Sequence, residues 1–250
     1  MKDVNNNYYV KIKPKMMKEF ELMYKGTKRI LREQYSEFEV ESFYKKSKEE
    51  YGKLFRKLPY IGGKKNGQTI NVIMGAIILA IVFPLEENNI SIQKIGKIIF
   101  DTFQLYFDSN PKFIMKLIGK FLLTRFSINK MKKNMEKSQK REYKEDFVME
   151  YIESEKGEFD HGYNYLECAL YTLYQKHNAL KYLPYVCLGD YALFKSIGIV
   201  FKRTQTIANG GELCDFRLTK HGETVHGWPP EKHKEWNIQN NQNLSYRSKL

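Results

Sequence analysis

Apolar residues recur at helical spacing through the first quarter of the chain. Over 13–58 they fall three or four positions apart, as Met16 and Phe20 do, which places their side chains on one face of an α-helix. We therefore expect two amphipathic helices here. The prolines and glycines at 59–67 then predict a loop.

A strongly apolar run follows at 70–85. It is shorter than the roughly 20 residues that a membrane-spanning helix needs. It therefore predicts a buried core helix over 69–83.

Two more helices are predicted beyond this run. Ser91 is a candidate N-cap for one over 92–107, and Pro111 suits the first turn of another that runs to about Lys137. Up to this point the pattern is entirely helical and contains no catalytic motif.

The pattern of apolar residues changes near residue 145. Alternation at 147–152 predicts a strand. Helical spacing returns at 165–176 and at 180–193, the second segment forming one helix or two short ones.

A β-hairpin is predicted after Gly198. Positions 199–207 alternate with a period of two, and 213–218 form the returning strand. Asn209-Gly210-Gly211 between them is typical of a tight turn, because glycine adopts positive φ without a steric penalty.

Together these elements predict an α+β fold, with a mostly helical N-terminal half and a small antiparallel sheet packed with helices in the C-terminal half. We expect a helical region over 1–140 that packs on the rest. An α+β region of catalytic type should occupy 141–236, followed by a polar tail over 237–250.

Positive charge is concentrated in the N-terminal part. Residues 1–145 hold 30 Lys and Arg against 16 Asp and Glu, a net charge of +14, whereas 146–250 hold 12 against 13. Such asymmetry is found in proteins that bind nucleic acid or anionic membranes. Here the basic residues follow amphipathic helical patterns, and the densest run, 130–144, lacks the interleaved aromatic residues of a single-strand groove. A solvated helix face or linker is favoured over a nucleic-acid site, no nucleic-acid partner is expected, and membrane-surface association is the least favoured interpretation.

The N-terminal sequence contains no apolar signal segment, and the number of cysteines, three, is odd. Both features favour a cytoplasmic protein with free thiols over a disulfide framework. We expect no transmembrane segment, no cofactor and a small-molecule substrate.

Cysteine and histidine are confined to the part of the chain after residue 160. The three cysteines are Cys168, Cys187 and Cys214, and the five histidines are His161, His177, His221, His226 and His233. Thiolates and imidazoles perform nucleophilic attack, proton transfer and metal binding. The candidate functional region therefore runs from about 160 to 226 and is centred on Cys214-Asp215.

Two chemical interpretations of the cysteines are open. Cys187 with Asp190, and Cys214 with Asp215, could supply sulfur and oxygen ligands to a metal, but the sequence lacks the CxxC and HxxxH spacings of zinc sites. Alternatively, Cys214 attacks an electrophilic carbon. Strand alternation points Asp215 away from Cys214 unless a bulge intervenes. A free cysteine is also often simply a small buried residue.

Neighbouring polar residues are candidates for substrate binding. Arg203 either forms an ion pair with Asp190 or Asp215 or holds a substrate carboxylate through its planar fork. Gly210 and Gly211 either form the turn or bring backbone N–H groups close to a ligand. His161 is a candidate proton carrier, because the intrinsic pKa of an imidazole is near neutral, although a surface or loop histidine is the commoner case.

Three motifs in this region resemble the signature of L-2-amino-thiazoline-4-carboxylic acid hydrolases. They are CLGDY at 187–191, FKRTQTIANGG at 201–211 and CDFR at 214–217, and Glu167-Cys168 also resembles the family. The resemblance covers roughly 160–220, about a quarter of the chain.

The resemblance implies a hydrolase that opens a cyclic C–N bond of a thiazoline or similar amidine and forms a carbamoyl-cysteine. From the chemistry of the side chains together with the motifs, we expect the catalytic residues to be Cys214, Asp215, Asp190 and Cys187. On the same grounds we expect the substrate-binding residues to be Arg203, Thr204, Gly210, Gly211 and His161. A thiolate can add to the carbon between nitrogen and sulfur, or an activated water can attack while the cysteines shape the pocket.

The alternative function is a ligand- or metal-binding sensory module that uses the same Cys and Asp cluster without catalysis. Metal analysis of the purified protein distinguishes the metal-binding form of this alternative from a metal-free hydrolase.

Overall fold

The computed structural model of the chain describes residues 5–154 and 157–236. Helices dominate the first half, and a four-stranded antiparallel sheet lies in the second, which confirms the predicted α+β class. The helices are α1 Asn5–Lys11, α2 Lys13–Arg32, α3 Glu37–Leu54, α4 Thr69–Glu87, α5 Ile92–Asp108, α6 Lys112–Leu122, α7 Arg125–Ser138, α8 Ala169–Lys176, α9 Leu183–Cys187 and α10 Gly189–Ile197. The strands are β1 Val148–Ile152, β2 His161–Glu167, β3 Val200–Lys202 and β4 Cys214–Thr219.

The chain forms two compact units, and each draws on segments from before and after residue 140. The first contains the described residues up to Tyr106 with Tyr143–Asp146 and Ala169–Val186. The second contains Phe107–Glu142, Phe147–Cys168 and the described residues from Cys187 onwards. The polar tail predicted at 237–250 lies outside the described residues.

The first unit is built around α4. This helix is apolar on all sides and is packed by α2, α3 and α8, as expected for a helix in the centre of a core. Within the described residues it alone is long and apolar enough to pass for a membrane span, and 72% of the window that passes is buried. Tyr174 of α8 donates a hydrogen bond from its hydroxyl to the carbonyl of Gly75 at 2.9 Å. The prediction of a buried core helix is confirmed.

The helix predicted from Pro111 to Lys137 is in fact two helices, α6 and α7. The chain turns at Thr124, which adopts an extended conformation with ψ at 149°. Its hydroxyl caps α7 by accepting a hydrogen bond from the backbone N–H of Ser127 at 3.3 Å. Continuous apolar spacing through this region concealed the cap.

The sheet of the second unit has the strand order β1-β2-β4-β3, and every neighbouring pair is antiparallel. Its inner strand β2 was not predicted, and the helix expected at 165–176 begins only at Ala169. In β2 the residues Tyr163 and Tyr165 alternate with Gly162 and Asn164, a period-two pattern that the helical spacing of the following residues obscured.

The predicted pairing of the last two strands is confirmed, but the tight turn between them is wrong. Phe201 pairs with Leu218, yet β3 ends at Lys202, and a loop over 203–213 connects it to β4. The loop includes a 3-10 turn at Ile207–Asn209, so the alternation predicted through 207 ends early. Hydrogen bonds between polar side chains and the residues of this loop account for its length.

Candidate functional site

One face of the sheet is buried and aromatic. Cys214 and Phe216 of β4 point to this face, as does Tyr163 of β2, which pairs with Phe216. Phe194 of α10 stacks on Phe201 of β3 with ring centroids 4.7 Å apart. The first polar groups beyond this aromatic core come from the loop that follows β3.

Arg203, the first residue of that loop, is buried between two carboxylates. Its Nε and Nη2 donate to the two carboxylate oxygens of Glu235 at 2.9 and 2.7 Å. Its Nη1 donates to Oδ2 of Asp190 at 2.7 Å, and Nη2 also donates to the carbonyl of Cys187 at 3.0 Å. Of the two roles expected for Arg203, the structure shows the ion pair with Asp190, and the second carboxylate is Glu235.

Aromatic rings exclude water from this ion cluster. The guanidinium carbon of Arg203 lies 5.1 Å from the ring centroid of Phe216 and 5.6 Å from that of Tyr191. The Tyr191 hydroxyl donates to Glu235 at 3.1 Å. One guanidinium thus faces two carboxylates in a low-dielectric setting, where each charge acts strongly on its neighbours.

Asp190 is the member of this cluster that remains accessible. Protein surrounds it deeply enough that burial raises the pKa of its carboxyl above the ordinary value, even though Arg203 lowers it. Its side chain nevertheless keeps 32% exposure, whereas those of Arg203 and Glu235 keep 1%. Its carboxyl can therefore be reached from solvent. Within the described residues only Oδ2 of Asp190 is hydrogen-bonded, and Oδ1 is left for a ligand or water.

Two cysteines lie beside this carboxylate. Burial raises the pKa of the Cys187 thiol well above its ordinary value, although the charge of Arg203 opposes the shift. Burial likewise raises the pKa of Cys214 to about 11, with Arg203 opposing the shift. Both groups are therefore thiols at neutral pH.

Cys214 and Asp215 hold the loop after β3 from opposite sides. The Cys214 sulfur accepts a hydrogen bond from the backbone N–H of Ile207 at 3.3 Å. Asp215 accepts three, from the N–H and hydroxyl of Thr204 at 2.9 and 2.6 Å and from the N–H of Gln205 at 2.8 Å. Asp215 and Thr204 thus fix the backbone next to Arg203, and strand alternation separates Asp215 from the thiol.

The two glycines assigned to substrate binding form the turn at the end of this loop. Gly210 has φ at +83°, a conformation that favours glycine. The N–H of Gly210 donates to Ile207 and that of Gly211 to Thr206, so both N–H groups are used inside the loop. A Cβ on Gly211 would lie 3.0 Å from the Thr206 carbonyl oxygen.

His161 lies on the same sheet face as Cys214 but at the other end of β2. It pairs with Leu218, whereas Tyr165 pairs with Cys214, a separation of about 13 Å along the strands. Its ring centroid lies 5.1 Å from that of Tyr151 and 5.5 Å from that of Tyr163. Both ring nitrogens are buried, and neither has a hydrogen-bond partner among the residues that the structure describes. Burial lowers the pKa of His161 to about 4. The structure does not bring this histidine close to Asp190.

Sequence reasoning missed Glu235 and His233, which complete the cluster. Glu235 is fully buried, and the His233 ring lies 4.2 Å from that of Tyr191. Both follow Pro229 and Pro230 and precede Trp236, so the available signal was a short proline- and tryptophan-bounded segment next to a polar tail.

The arrangement of ligand-type side chains bears on the metal interpretation. Within the part of the chain that the structure describes, no three His, Cys, Asp or Glu side chains are grouped so as to hold a metal ion. The arrangement at Asp190 is instead an ion cluster with one accessible carboxylate and neighbouring thiols, which can move a proton.

Comparison with known proteins identifies the family. The sequence profile of the L-2-amino-thiazoline-4-carboxylic acid hydrolase family matches residues 71–218, more than half of the chain. The protein belongs to this family, as the motifs predicted, and the name of the family indicates a hydrolase. No curated protein and no solved structure matches the chain. Glu235 lies outside the matched segment.

Proposed function

We propose that the protein hydrolyses a cyclic amidine of the 2-amino-thiazoline-4-carboxylate type and breaks a ring C–N bond. The observation that carries this proposal is the environment of the Asp190 carboxylate: its pKa is raised, Arg203 donates a hydrogen bond to Oδ2, and the side chain is 32% exposed. A carboxylate of this kind is a stronger base than an ordinary aspartate and can carry a proton.

The charge of the cluster supports an amidine as the substrate. One guanidinium is shared by the carboxylates of Asp190 and Glu235, so the ionised cluster carries a net negative charge. Negative charge in a desolvated site stabilises a protonated amidine, and protonation makes the carbon between nitrogen and sulfur more electrophilic.

Asp190 then acts as the base for a water molecule. The water oxygen bonds to the amidine carbon while one water proton passes to Oδ1 of Asp190. Asp190 gives this proton to the ring nitrogen as the C–N bond breaks, and the hydroxyl proton follows to the same amine as the carbonyl forms. One water is consumed, and the product carries a new amine and a carbamoyl group on sulfur.

The cysteines have a different role in this proposal. A thiol with a pKa of about 11, as at Cys214, is ionised in only about one molecule in ten thousand at pH 7. Cys214 also accepts the Ile207 N–H, which ties it to the loop. These facts support attack by water rather than by Cys214, with Cys187 and Cys214 supplying soft, polarisable atoms beside Asp190.

Product analysis tests the proposal. The purified protein is incubated with 2-amino-thiazoline-4-carboxylate, and the new functional group is measured with an amine reagent and with a thiol reagent. We expect a new primary amine in step with substrate loss. Loss of substrate with a new thiol instead would show that the C–S bond breaks, and a stable substrate would refute the proposed activity.

A further inference from the structure

Helix α6 presents an apolar face to solvent. The side chains of Phe113, Leu117 and Phe121 are 67%, 58% and 56% exposed, and Phe126 at the start of α7 is 69% exposed. Ile114 and Ile118 belong to the same face and are 41% and 42% exposed. Monomeric proteins rarely leave so many large apolar side chains together in water, and such a patch marks an interaction surface. We call these six residues the α6 patch.

The opposite side of α6 is packed closely and fixes the orientation of the patch. Met115 and Gly119 are its buried residues, one helical turn apart. A Cβ on Gly119 would lie 2.0 Å from the carbonyl oxygen of Ile197, at the end of α10. Only glycine fits at this position. A rotation of α6 that turned its apolar face inward would break the close contact between Gly119 and Ile197.

Positive charge accompanies the patch. Between Ser109 and Met135 the sequence has no Asp or Glu and seven basic residues: Lys112, Lys116, Lys120, Arg125, Lys130, Lys132 and Lys133. The first three lie at intervals of four, which aligns them in one row along the edge of the apolar face. Within the described residues, Lys132 pairs with Glu153 and the other six form no ion pair. These cations are therefore free to neutralise an external anion.

We propose that the α6 patch docks this protein onto an anionic membrane surface. An apolar face with a row of lysines along its edge is typical of helices that lie in the plane of the interface, with aromatic side chains in the acyl region and cations at the headgroups. At 1.5 Å per residue α6 is about 16 Å long, too short to span a bilayer.

Charge also decides between the possible occupants of the patch. A second copy of this chain would bring two basic rows together, which repel each other. A nucleic acid would pair with the lysines but would leave the phenylalanines and leucine in water. An anionic lipid surface satisfies both the charges and the apolar side chains.

Vesicle sedimentation with the full chain tests the proposal. The probes are vesicles of phosphatidylcholine with 30 mol% phosphatidylserine and vesicles of phosphatidylcholine alone. We expect binding to the first and about a hundredfold weaker binding to the second, and high salt should release the protein. The double substitution Phe113→Gln and Phe121→Gln should weaken binding at least about tenfold, because the apolar insertion is lost.

Matched controls separate docking from general effects. Phe38→Gln removes a phenylalanine of α3 that is 86% exposed and should leave vesicle binding unchanged. The triple change Lys112→Gln, Lys116→Gln and Lys120→Gln should weaken binding about a hundredfold. The same change at the exposed lysines Lys18, Lys25 and Lys45 alters net charge equally and should weaken it far less.

The proposal is overturned by equal binding of the wild type and the Phe113/Phe121 variant to the anionic vesicles. It is also overturned if the wild type does not bind the anionic vesicles; a dimer that the same double variant dissociates in sedimentation velocity would then identify a second copy of the chain as the occupant. Circular dichroism of each variant confirms that the fold is retained.

Discussion

The carboxylate of Glu235 accepts two hydrogen bonds from the guanidinium of Arg203, one from Nη2 at 2.7 Å and one from Nε at 2.9 Å. This pairing leaves Nη1 of Arg203 for Asp190. Glu235 therefore orients the residue that orients Asp190. Its negative charge also raises the pKa of the Asp190 carboxyl. Glu235 is thus expected to act as a positioning residue although it lies beyond the segment that matches the family.

Replacing Glu235 with glutamine should move the pH profile of the enzyme. Because the charge of Glu235 raises the pKa of Asp190, the acidic limb of kcat/KM should shift to lower pH in Glu235→Gln. The buried charge of Arg203 also loses a partner, at a cost of about 3 kcal/mol in unfolding free energy. Urea titration and the pH dependence of kcat/KM measure both effects. Glu231→Gln, at an exposed position in the same segment, is the control, and an unmoved acidic limb would contradict this role.

Removing the Cys214 thiol should leave the chemistry largely intact. If water is the nucleophile, Cys214→Ala should keep turnover within about tenfold of the wild type, and the remaining loss reflects the Ile207 hydrogen bond. Steady-state kinetics on the thiazoline carboxylate measure this. A fall in kcat of about a thousandfold or more, with the fold retained, would instead make Cys214 the nucleophile.

Asp215 should matter for the stability of the loop. Asp215→Ala removes three hydrogen bonds to Thr204 and Gln205, and we expect a loss of about 2 kcal/mol in unfolding free energy after allowance for solvent at this half-buried position. Glu212→Ala changes an exposed carboxylate of the same loop and should cost far less. Urea titration compares the two, and equal stabilities of both variants would refute the anchoring role.

His161 should make stability depend on pH. Its folded-state pKa of about 4 lies below the ordinary histidine value of 6.5, so the stability from its neutral form is present above pH 6.5 and is lost as pH falls toward 4. The loss amounts to about 3 kcal/mol over this window. In His161→Phe, the loss of unfolding free energy between pH 6.5 and pH 4 should be smaller by that amount. Urea titrations at several pH values test this, and an unchanged slope in the variant would count against it.

The spacing of apolar residues predicted the helices and strands that bury either one face or their whole surface. Amphipathic spacing located α2 and α3, and the continuous apolar run located α4, because each pattern is set within one segment. The alternation of Cys214, Phe216 and Leu218 located β4 for the same reason. Strand β2 was not predicted because its tyrosines lie next to a helical segment. A single sequence also gives no information on which strand will pair with it.

The candidate site was predicted only as far as its motifs reach. The motifs brought together Cys187, Asp190, Arg203 and Cys214, and the structure places all four in one cluster. The partnership of Arg203 with Glu235 joins positions 32 residues apart. Such a contact leaves no local periodicity, and the choice between Asp190, Asp215 and Glu235 as partners depends on the path of the loop.

Turnover by Asp190→Asn tests the central claim most directly. Asparagine has the shape of aspartate but cannot take a proton from water, so kcat for 2-amino-thiazoline-4-carboxylate should fall about a thousandfold. The unfolding free energy should fall by less than in Glu235→Gln, because the Asp190 side chain is 32% exposed and Arg203 keeps its two hydrogen bonds to Glu235. Asp108→Asn, at an exposed position, should retain full activity. If folded Asp190→Asn turns over the substrate at the wild-type rate, Asp190 is not the base and the proposed mechanism is wrong.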